Sequence, residues 1–372
     1  MRKRGIHLQY SFESDGQRGA DVTNPLFDLL QAVEREGSIR HAAVALGASY
    51  RHVWGQLKHW EEVLGEPLVV WTQGQPARLT PFAERLLWAE RRARTRLTPH
   101  IEALRAELER VLTDALDGSQ QVLTMFASHD LALPQLRELA SAQQRLHIEL
   151  RFAGSIDGLR ALNQGRCQVA GFHVPRLADG SPVFAHALKR LLEPGRHKLI
   201  GCMRRVQGLM VAPGNPLAIG GVADLARPGV RFVNRQAGSG TRLLMDHLLQ
   251  AARIEPAAVS CSAGAAEESH VAIAAAVASG LADAGPGIEA AAAAFGLGFV
   301  PLIDDDYFLV CLKESLEQPP VQRLRELLAG PDWAAVLARL PGYTTMRCGE
   351  VLSLTQALPW WRFRTPKAAT AA

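Results

Sequence analysis

Cysteine is scarce in this sequence and shows no pattern. The five cysteines among 372 residues are Cys167, Cys202, Cys261, Cys311 and Cys348, with no CxxC pair and no Cys/His spacing of a metal site. An odd, scattered set predicts neither a disulfide framework nor a zinc site, so we expect no metal and no cofactor. A reducing cytoplasm fits this pattern.

Long apolar runs are also missing. No run approaches the ~20 residues that span a bilayer. The N-terminal MRKRGIHLQYSFESDGQRG carries charges without the apolar centre of a signal peptide. We therefore expect a cytoplasmic protein without a membrane partner, in which residues 1–22 are mobile.

Catalytic motifs and a strong net charge are absent as well. There is no GxSxG elbow, no HExxH and no local Cys/His pair, so no catalytic residue is predicted, although triads assembled in space stay open. A net charge of +4 is too small to indicate nucleic acid by itself. Hydrophobic content of 48% in 372 residues predicts a folded protein of two or three domains.

The segment from Gly37 to Leu64 predicts two helices joined by a tight turn. Ser38 can cap the first helix, and Gly47 supplies the left-handed residue that ends it. Ser49 then caps a second helix with apolar residues on one face and polar residues on the other. The apolar face has Val53, Leu57, Trp60 and Leu64; the polar face has Tyr50, Arg51, Gln56 and Lys58. This is the layout of a helix-turn-helix, whose second helix can enter a DNA major groove; a generic helical hairpin is the alternative.

Flanking segments complete this predicted domain, residues 23–80. A helix over Asn24–Glu36 precedes the motif, and GEPLVVWTQGQPARLTP predicts two short strands around a turn, as in a wing. Pro81 then begins a long helix reaching about Asp117, with Pro99 inside it. Apolar residues recur along it at three- and four-residue steps, which favours a dimerisation seam over residues 81–118; packing on its own domain is the alternative.

From Gln121 onward, segments typical of strands and helices alternate. This alternation predicts an α/β domain over residues 119–361 with parallel strands, crossover helices and two lobes around a cleft. Trp360 and Trp361 are expected to pack back on a lobe, and residues 362–372 to be a disordered tail. The run Asp304–Asp306 lacks the spacing of a calcium loop and is expected to be a solvated turn.

Ligands of such sheets lie beyond the carboxyl ends of the strands, where several loops carry polar residues. The loop Arg235–Arg242 combines two glycines, two hydroxyls and two arginines at a helix start, which predicts an anion site; a tight strand–helix turn is the alternative. Ser269 can equally be an N-cap, and His270 or Asp283 a hydrogen-bonded core group. The candidate ligand-binding residues are Ser128, His129, Asp130, Ser155, His173, Arg235, Ser239, Gly240, Thr241, Arg242 and His270.

Two family resemblances add to these inferences. GSIRHAAVALGASYRHVW, with LGEPLV and ARLTPFAERLL after it, resembles the winged helix-turn-helix of molybdate-responsive regulators and the broader LysR type. That resemblance implies dimerisation through the long helix. It also implies DNA contacts from Ser38, Ser49, Tyr50, Arg51, Lys58 and Arg78.

The remainder resembles a periplasmic-binding-protein-like domain also found in molybdopterin-related proteins. The strings that carry this resemblance are ASHD, GSIDGLRAL, FVNRQAGSGTR, ASGLADAGPGI and GEVLSLTQALPWW. The small β-barrel modules of molybdate regulators are not found after the helix.

Together these features predict a DNA-binding transcriptional regulator. We expect a homodimer or tetramer that binds a double-stranded operator, with recognition helices about 34 Å apart. We expect its effector to be a small anion such as molybdate, tungstate or a molybdenum-cofactor-related compound. The alternatives are an enzyme of molybdenum-cofactor or related anion metabolism, with His129 and Asp130 as acid and base, and a solute receptor.

Overall fold

The computed structural model describes residues 24–71, 76–116, 121–143, 146–260 and 266–361. The N-terminus predicted to be mobile, the turn of the wing and the predicted tail lie outside these residues. The chain divides into two compact units, Met1–Thr98 and Pro99–Ala372. The boundary falls within one long helix.

The first unit begins with the predicted helix-turn-helix. Its elements are helices α1 (Pro25–Glu36), α2 (Ile39–Ala45) and α3 (Tyr50–Leu64), followed by the antiparallel strands β1 (Val69–Val70) and β2 (Arg78–Leu79). The Ser38 hydroxyl accepts from the His41 N–H at 3.4 Å, and the Ser49 hydroxyl accepts from the His52 N–H at 3.2 Å. Gly47 has a φ of +63° in the turn. The predicted caps, turn and wing strands are therefore confirmed.

A small apolar core holds these helices together. Leu30, Val33, Val53 and Leu57 are buried in one cluster. Trp60 and Leu64, which were expected to be buried, are only half-buried, and Gln56, expected to be exposed, is half-buried as well. The apolar stripe of α3 is therefore narrower at its C-terminal end than the spacing predicts.

The long helix α4 spans Pro81–Leu116 and contains Pro99. Its N-terminal part packs into the core of the first unit through Ala83 and Leu87. Further along, Leu104 and Val111 are 50% and 55% exposed. Its role in dimerisation stays a prediction.

The second unit alternates strands and helices at first, as predicted. Its strands are β3 (Gln121–Ala127), β4 (Leu146–Phe152), β5 (Val169–Pro175), β6 (His197–Val211), β7 (Ala284–Ile288), β8 (Gly298–Leu312), β9 (Tyr343–Thr344) and β10 (Val351–Leu352). Its helices are α5 (Leu133–Gln143), α6 (Ser155–Asn163), α7 (Pro182–Leu188), α8 (Gly240–Ala251), α9 (His270–Ala278), α10 (Glu289–Ala294), α11 (Pro319–Ala329), α12 (Pro331–Ala338) and α13 (Leu354–Ala357).

The sheet is mixed, and two long strands run through both lobes. Within the described residues the order is β10-β6-β8-β5-β3-β4, with β7 and β9 also paired to β6. Strands β3, β4 and β5 are parallel, as expected. The expectation is wrong for β7 and β8, which pair antiparallel with β6. Each of β6 and β8 has 15 residues, about twice the seven residues of β3, β4 or β5.

The register of β5, β6 and β8 fixes which side chains share a face. Arg205 lies opposite Asp305, and Arg204 lies opposite Asp306. Because neighbouring side chains in a strand point to opposite faces, these two pairs lie on opposite sides of the sheet. The expectation of a solvated turn over Asp304–Asp306 is wrong: the run lies in β8, and Asp305 is 0% exposed.

Apolar clusters cover both faces of this sheet. One contains residues of β3, β4 and β8 with helices α5, α9 and α11. The other contains residues of β5 and β6 with α6 and α7, and Trp360 and Trp361 pack against it as predicted. Among the described residues, no helix is both long enough and apolar enough to span a membrane.

Candidate functional site

One candidate site is the exposed face of α3 in the first unit. Tyr50 is 52% exposed and stacks on Trp54, with ring centroids 6.3 Å apart. The Lys58 ammonium lies 4.9 Å from the Trp54 ring centroid and forms a 2.7 Å ion pair with Glu61. Arg51 is exposed one turn before Trp54, and Arg78 is exposed on the wing strand β2. Phosphates favour such a basic face flanked by aromatic rings.

Ser38 and Ser49 have a structural role in this face. Each hydroxyl accepts from a backbone N–H and caps its helix. Capping aligns the N-terminus of α3, whose positive end attracts phosphate. Both residues therefore act through helix position even without a direct DNA contact.

The second candidate site is a small cavity in the second unit. Its volume is about 50 Å³. Four loops, strand β5 and the long helix line it: Pro99, Ser128, His129, Phe152, Ala153, Gly154, His173, Arg235, Gln236, Ser239, Gly240, Thr241, Glu268 and His270. We call it the anion pocket, after the anion site that the sequence predicts for the loop Arg235–Arg242.

Three helices begin at the anion pocket. Gly154 is the N-cap of α6, Ser239 is the N-cap of α8, and His270 is the first residue of α9. The N-terminus of a helix carries a partial positive charge and backbone N–H groups without intrahelical partners. Three such ends around one cavity favour a negatively charged ligand.

Glycines allow the loops to approach each other here. A Cβ on Gly240 would lie 2.4 Å from the His173 ring, so only glycine brings the start of α8 this close to β5. Gly238 has a φ of +83°, a left-handed conformation that glycine adopts without strain. The two glycines of the loop therefore make the tight turn and the close approach that an anion site needs.

Arg235 is the buried cation of this pocket. It is 4% exposed, and its Nε and Nη1 atoms have no hydrogen-bond partner among the described residues. Burial and the nearby charge of Arg205 lower the pKa of the guanidinium to about 9. At neutral pH it is still charged, so the pocket holds a guanidinium with unmet hydrogen-bonding capacity.

Two histidines, the half-buried His129 and the buried His270, lie near Arg235 and are held neutral. Burial, followed by the charges of Arg235 and Arg205, lowers the pKa of His129 to about 3. The same causes hold the pKa of His270 well below its ordinary value. The two rings have centroids 6.4 Å apart, and each Nδ1 is buried without a hydrogen-bond partner among the described residues. Burial and the two guanidinium charges together thus keep both rings neutral.

A buried ionic network lies behind the pocket wall. The His173 Nδ1 is 2.9 Å from Asp305 Oδ1, and the Arg205 Nε donates to Asp305 Oδ2 at 3.0 Å. Arg205 also forms an ion pair with Asp130, which accepts from the Tyr343 hydroxyl at 2.8 Å. Burial alone would raise the pKa of the Asp305 carboxyl, but His173 and Arg205 outweigh it and keep that pKa below its ordinary value. The network fixes His173 against the pocket.

The structure brings together most of the residues predicted to bind the ligand. Those lining the anion pocket are Ser128, His129, His173, Arg235, Ser239, Gly240, Thr241 and His270. The Ser239 hydroxyl accepts from the Arg242 N–H at 3.2 Å, so it is also the N-cap of α8. The Ser128 hydroxyl donates to the Tyr307 hydroxyl at 3.0 Å.

Three predicted ligand residues lie outside the lining. Asp130 belongs to the buried network, and Ser155 is buried behind Gly154 with its hydroxyl lacking a partner among the described residues. Arg242 turns to the surface, where its Nε is 2.8 Å from Asp246. Asp130 bonds to Arg205 and Tyr343 rather than His129, so the acid–base pair considered for an enzyme is not formed. Asp283 pairs with Arg231 away from the pocket.

Sequence reasoning missed Arg205, Asp305 and Gln207. All three lie in the long strands β6 and β8, which the predicted alternation of elements did not include. The sequence signal for these two strands was a long, apolar-rich stretch that carries isolated charged residues. Within the part of the chain that the structure describes, no group of three or more His, Cys, Asp or Glu side chains could hold a metal ion.

Two known protein families match different parts of the chain. Residues 136–329 match the PBP superfamily domain, and residues 26–84 match the bacterial regulatory helix-turn-helix protein, lysR family. The first match covers the anion pocket from His173 to His270, and the second covers α1 to the start of α4.

Similar individual proteins are also known. The uncharacterized protein YvgK of Bacillus subtilis (strain 168) is 35% identical over 237 residues, 63% of this chain and 75% of YvgK. The molybdenum transport protein ModE of Azotobacter vinelandii is 29% identical over 150 residues, 39% of this chain and 50% of ModE. The hydrogen-peroxide-bound OxyR mutant of Corynebacterium glutamicum has a TM-score of 0.42 and 16% identity, over 87% of this chain and 97% of that one.

Proposed function

Since the chain belongs to the PBP superfamily and carries a regulatory helix-turn-helix domain of the lysR family, we propose that this LysR-type transcriptional regulator senses a small inorganic oxyanion. The effector binds in the anion pocket and changes the affinity of the first unit for its operator. Molybdate or tungstate is the proposed effector.

One observation carries the proposal: Arg235 is buried in the pocket with two donor nitrogens that lack partners among the described residues. A buried unsatisfied donor costs about 1–3 kcal/mol. An oxyanion would accept from Nε and Nη1 together, since guanidinium groups suit two-point contacts with oxyanions. Thr241 adds a hydroxyl group at the same cavity.

The cavity volume sets the size of this effector. About 50 Å³ accommodates roughly three to five water-sized groups at 10–15 Å³ each. A tetrahedral oxyanion has four oxygens and fits that space. A pterin-containing compound is far larger, so the volume favours the inorganic anion among the two kinds considered from the sequence.

Molybdate and tungstate are preferred among oxyanions for two reasons. The helix-turn-helix sequence resembles that of molybdate-responsive regulators, and a partial similarity to ModE of Azotobacter vinelandii supports the same choice. Both ions are dianions without a proton at neutral pH, and the pocket offers a buried guanidinium with three helix N-termini. Sulfate shares this charge, so direct competition is needed to rank them.

DNA binding is proposed to follow the arrangement of other helix-turn-helix dimers. Two α3 helices enter successive major grooves about 34 Å apart when two chains pair. We propose that α4 provides the pairing surface, because Leu104 and Val111 are half exposed on it. The anion can shift DNA affinity only through its different affinities for the two conformations of the protein.

A thermal-shift screen tests the effector directly. The full chain is melted with molybdate, tungstate, sulfate, phosphate and acetate at equal ionic strength. An anion present at a hundred times its Kd stabilises the folded state by about 2.7 kcal/mol. This corresponds to a rise in Tm of about 5–11 °C at 2–4 °C per kcal/mol. We expect this rise with molybdate or tungstate and a smaller one with phosphate.

Two results of this screen would contradict the proposal. If acetate or an uncharged buffer raises Tm as much as the oxyanions do, the pocket does not select oxyanions. If no oxyanion raises Tm at millimolar concentration, the assignment of the effector class is wrong.

A further inference from the structure

The charged side chains at the anion pocket do not balance an oxyanion with two negative charges. Among the described residues that line the cavity, Arg235 is the single arginine, and no lysine is present. Burial, followed by Arg205, lowers the pKa of its guanidinium, while the charges of Glu268 and Glu267 act in the opposite direction. One guanidinium with two carboxylates nearby leaves most of the charge of a dianion uncompensated, and such a charge is costly to bury.

The ionic network behind the pocket wall does not supply the missing positive charge. Arg205 forms buried ion pairs with both Asp130 and Asp305. The His173 ring lines the cavity, but its Nδ1 is 2.9 Å from Asp305 Oδ1. Burial raises the pKa of the Tyr307 hydroxyl well above its ordinary value, so this group stays neutral. Two carboxylates therefore face one guanidinium and one imidazole, and the network at most balances itself.

We propose that the anion pocket binds the oxyanion together with one proton, which His129 takes up. The inference rests on the proposed function, because it concerns what accompanies the anion into its site. An opposite charge within about 4–6 Å favours the charged form of a titrating group. His129 lines a cavity of only about 50 Å³, and a cavity this small places any anion against the side chains that line it.

Without anion, His129 is neutral for reasons that a bound dianion reverses. Burial, followed by the charges of Arg235 and Arg205, lowers the pKa of His129 to about 3. A dianion beside these cations cancels their repulsion of an imidazolium and adds an attraction of its own. The Nδ1 atom of His129 is buried without a hydrogen-bond partner among the described residues. Protonation makes both ring nitrogens donors, and the oxygens of a dianion are acceptors.

His129 is better placed for this proton than His270. The two ring centroids are 6.4 Å apart, so two imidazolium charges would repel each other. His270 is the first residue of α9, where the positive end of the helix opposes a cation. His173 is among the groups that lower the pKa of His270, whereas burial and two arginines account for His129. His129 lies in the loop after β3, with its ring centroid 4.7 Å from that of Phe152.

Glu268 is the competing proton acceptor at this pocket. Its carboxylate lines the cavity, and its Oε2 is 3.8 Å from the His100 Nε2 on α4. The Glu268 side chain is 57% exposed, so water solvates the carboxylate. The charge of Arg235 acts on it as well. Both influences stabilise the ionised carboxylate, and the substitution E268Q separates the two acceptors.

Calorimetric titration with molybdate counts the proton directly. The full chain is titrated at about pH 6 in two buffers with different heats of ionisation, and the difference in binding heat gives the number of protons taken up per anion. We expect about one proton for the wild type, and a Kd for molybdate that falls up to about tenfold for each unit by which the pH is lowered. Sulfate is the second probe, because it carries no proton in this range and any uptake then belongs to the protein.

Four variants assign the proton to a side chain. H129Q is expected to lose the proton uptake and to bind molybdate up to about tenfold more weakly at about pH 6. H270Q and E268Q are expected to keep the uptake. H186Q, at an exposed histidine of α7, is the matched control and should behave as the wild type.

Each outcome decides the inference. If a dianion binds the wild type without proton uptake, the inference is overturned and the proposed function stands. Uptake that persists in H129Q, or that disappears in H270Q or E268Q, overturns the assignment to His129. If no oxyanion binds at millimolar concentration, the proposed function and this inference both fail. If H129Q does not fold, uptake by the wild type, H270Q and E268Q still decides, because these proteins retain His129.

Discussion

Replacing Arg235 with glutamine is expected to stabilise the protein without anion and to abolish its response to anion. Without anion, the buried guanidinium opposes folding, because two of its donors lack partners among the described residues and its pKa is lowered to about 9. Removing one or two unsatisfied donors relieves about 1–3 kcal/mol each. Because glutamine keeps one polar group in the pocket, we expect a net gain of about 1–2 kcal/mol in the free energy of unfolding.

With anion, the same substitution has the opposite effect. Loss of one member of a buried charge pair costs about 2–5 kcal/mol in binding, or a roughly thirty- to several-thousand-fold rise in Kd. The rise in Tm expected for the wild type with molybdate should therefore disappear in R235Q. A single substitution thus raises the Tm of the anion-free protein and removes the anion-dependent shift.

Urea unfolding with and without molybdate measures both effects. The matched control is R242Q, seven residues along the same loop and helix, whose guanidinium pairs with Asp246 on the surface. Its stability should change by no more than about 0.5 kcal/mol, and its anion response should persist. An R235Q protein that is less stable than the wild type and still responds to molybdate would refute the reasoning.

Two further predictions concern DNA and pH. R51Q should weaken operator binding and reduce the slope of log K against log salt concentration by about 1. The control is R35Q, at an arginine paired with Glu36, which should change neither quantity. Equal slopes for R51Q and the wild type would show that Arg51 does not contact the DNA. The folded protein keeps His129 and His270 neutral, whereas the unfolded chain protonates them below about pH 6.5, so stability should fall as pH decreases from 6.5 toward 5. The free energy of unfolding should change by about 1.4 kcal/mol per pH unit for each histidine. Urea titrations at several pH values should show a smaller slope for H129Q or H270Q than for the wild type. An unchanged slope would contradict the conclusion that the folded protein keeps these rings neutral.

The helix-turn-helix of the first unit was predictable because its sequence signals are local. Ser38, Gly47 and Ser49 each act within four residues of their own position, through caps and a left-handed turn. The start of α8 at the loop Arg235–Arg242 was predictable for the same reason, since a hydroxyl that can cap a helix is a local signal.

The core of the second unit required information that is not local. Whether Arg204 or Arg205 is buried depends on the register of β6 against β8, and a shift of one residue would exchange their faces. The same register buries Asp305 in a network and places Asp306 on the opposite face of the sheet, paired with Arg204. For Arg242, the side chain could reach either the pocket or Asp246, and only the course of α8 decides this.

Regulation of DNA binding by the pocket is tested most directly by fluorescence anisotropy of the full-length protein on its operator, in a titration with molybdate or tungstate. We expect the anion to change the Kd for DNA in the wild type and in R242Q, and to leave it unchanged in R235Q. An anion effect that persists in R235Q, or one that is absent from all three proteins, would contradict control of the operator through the anion pocket.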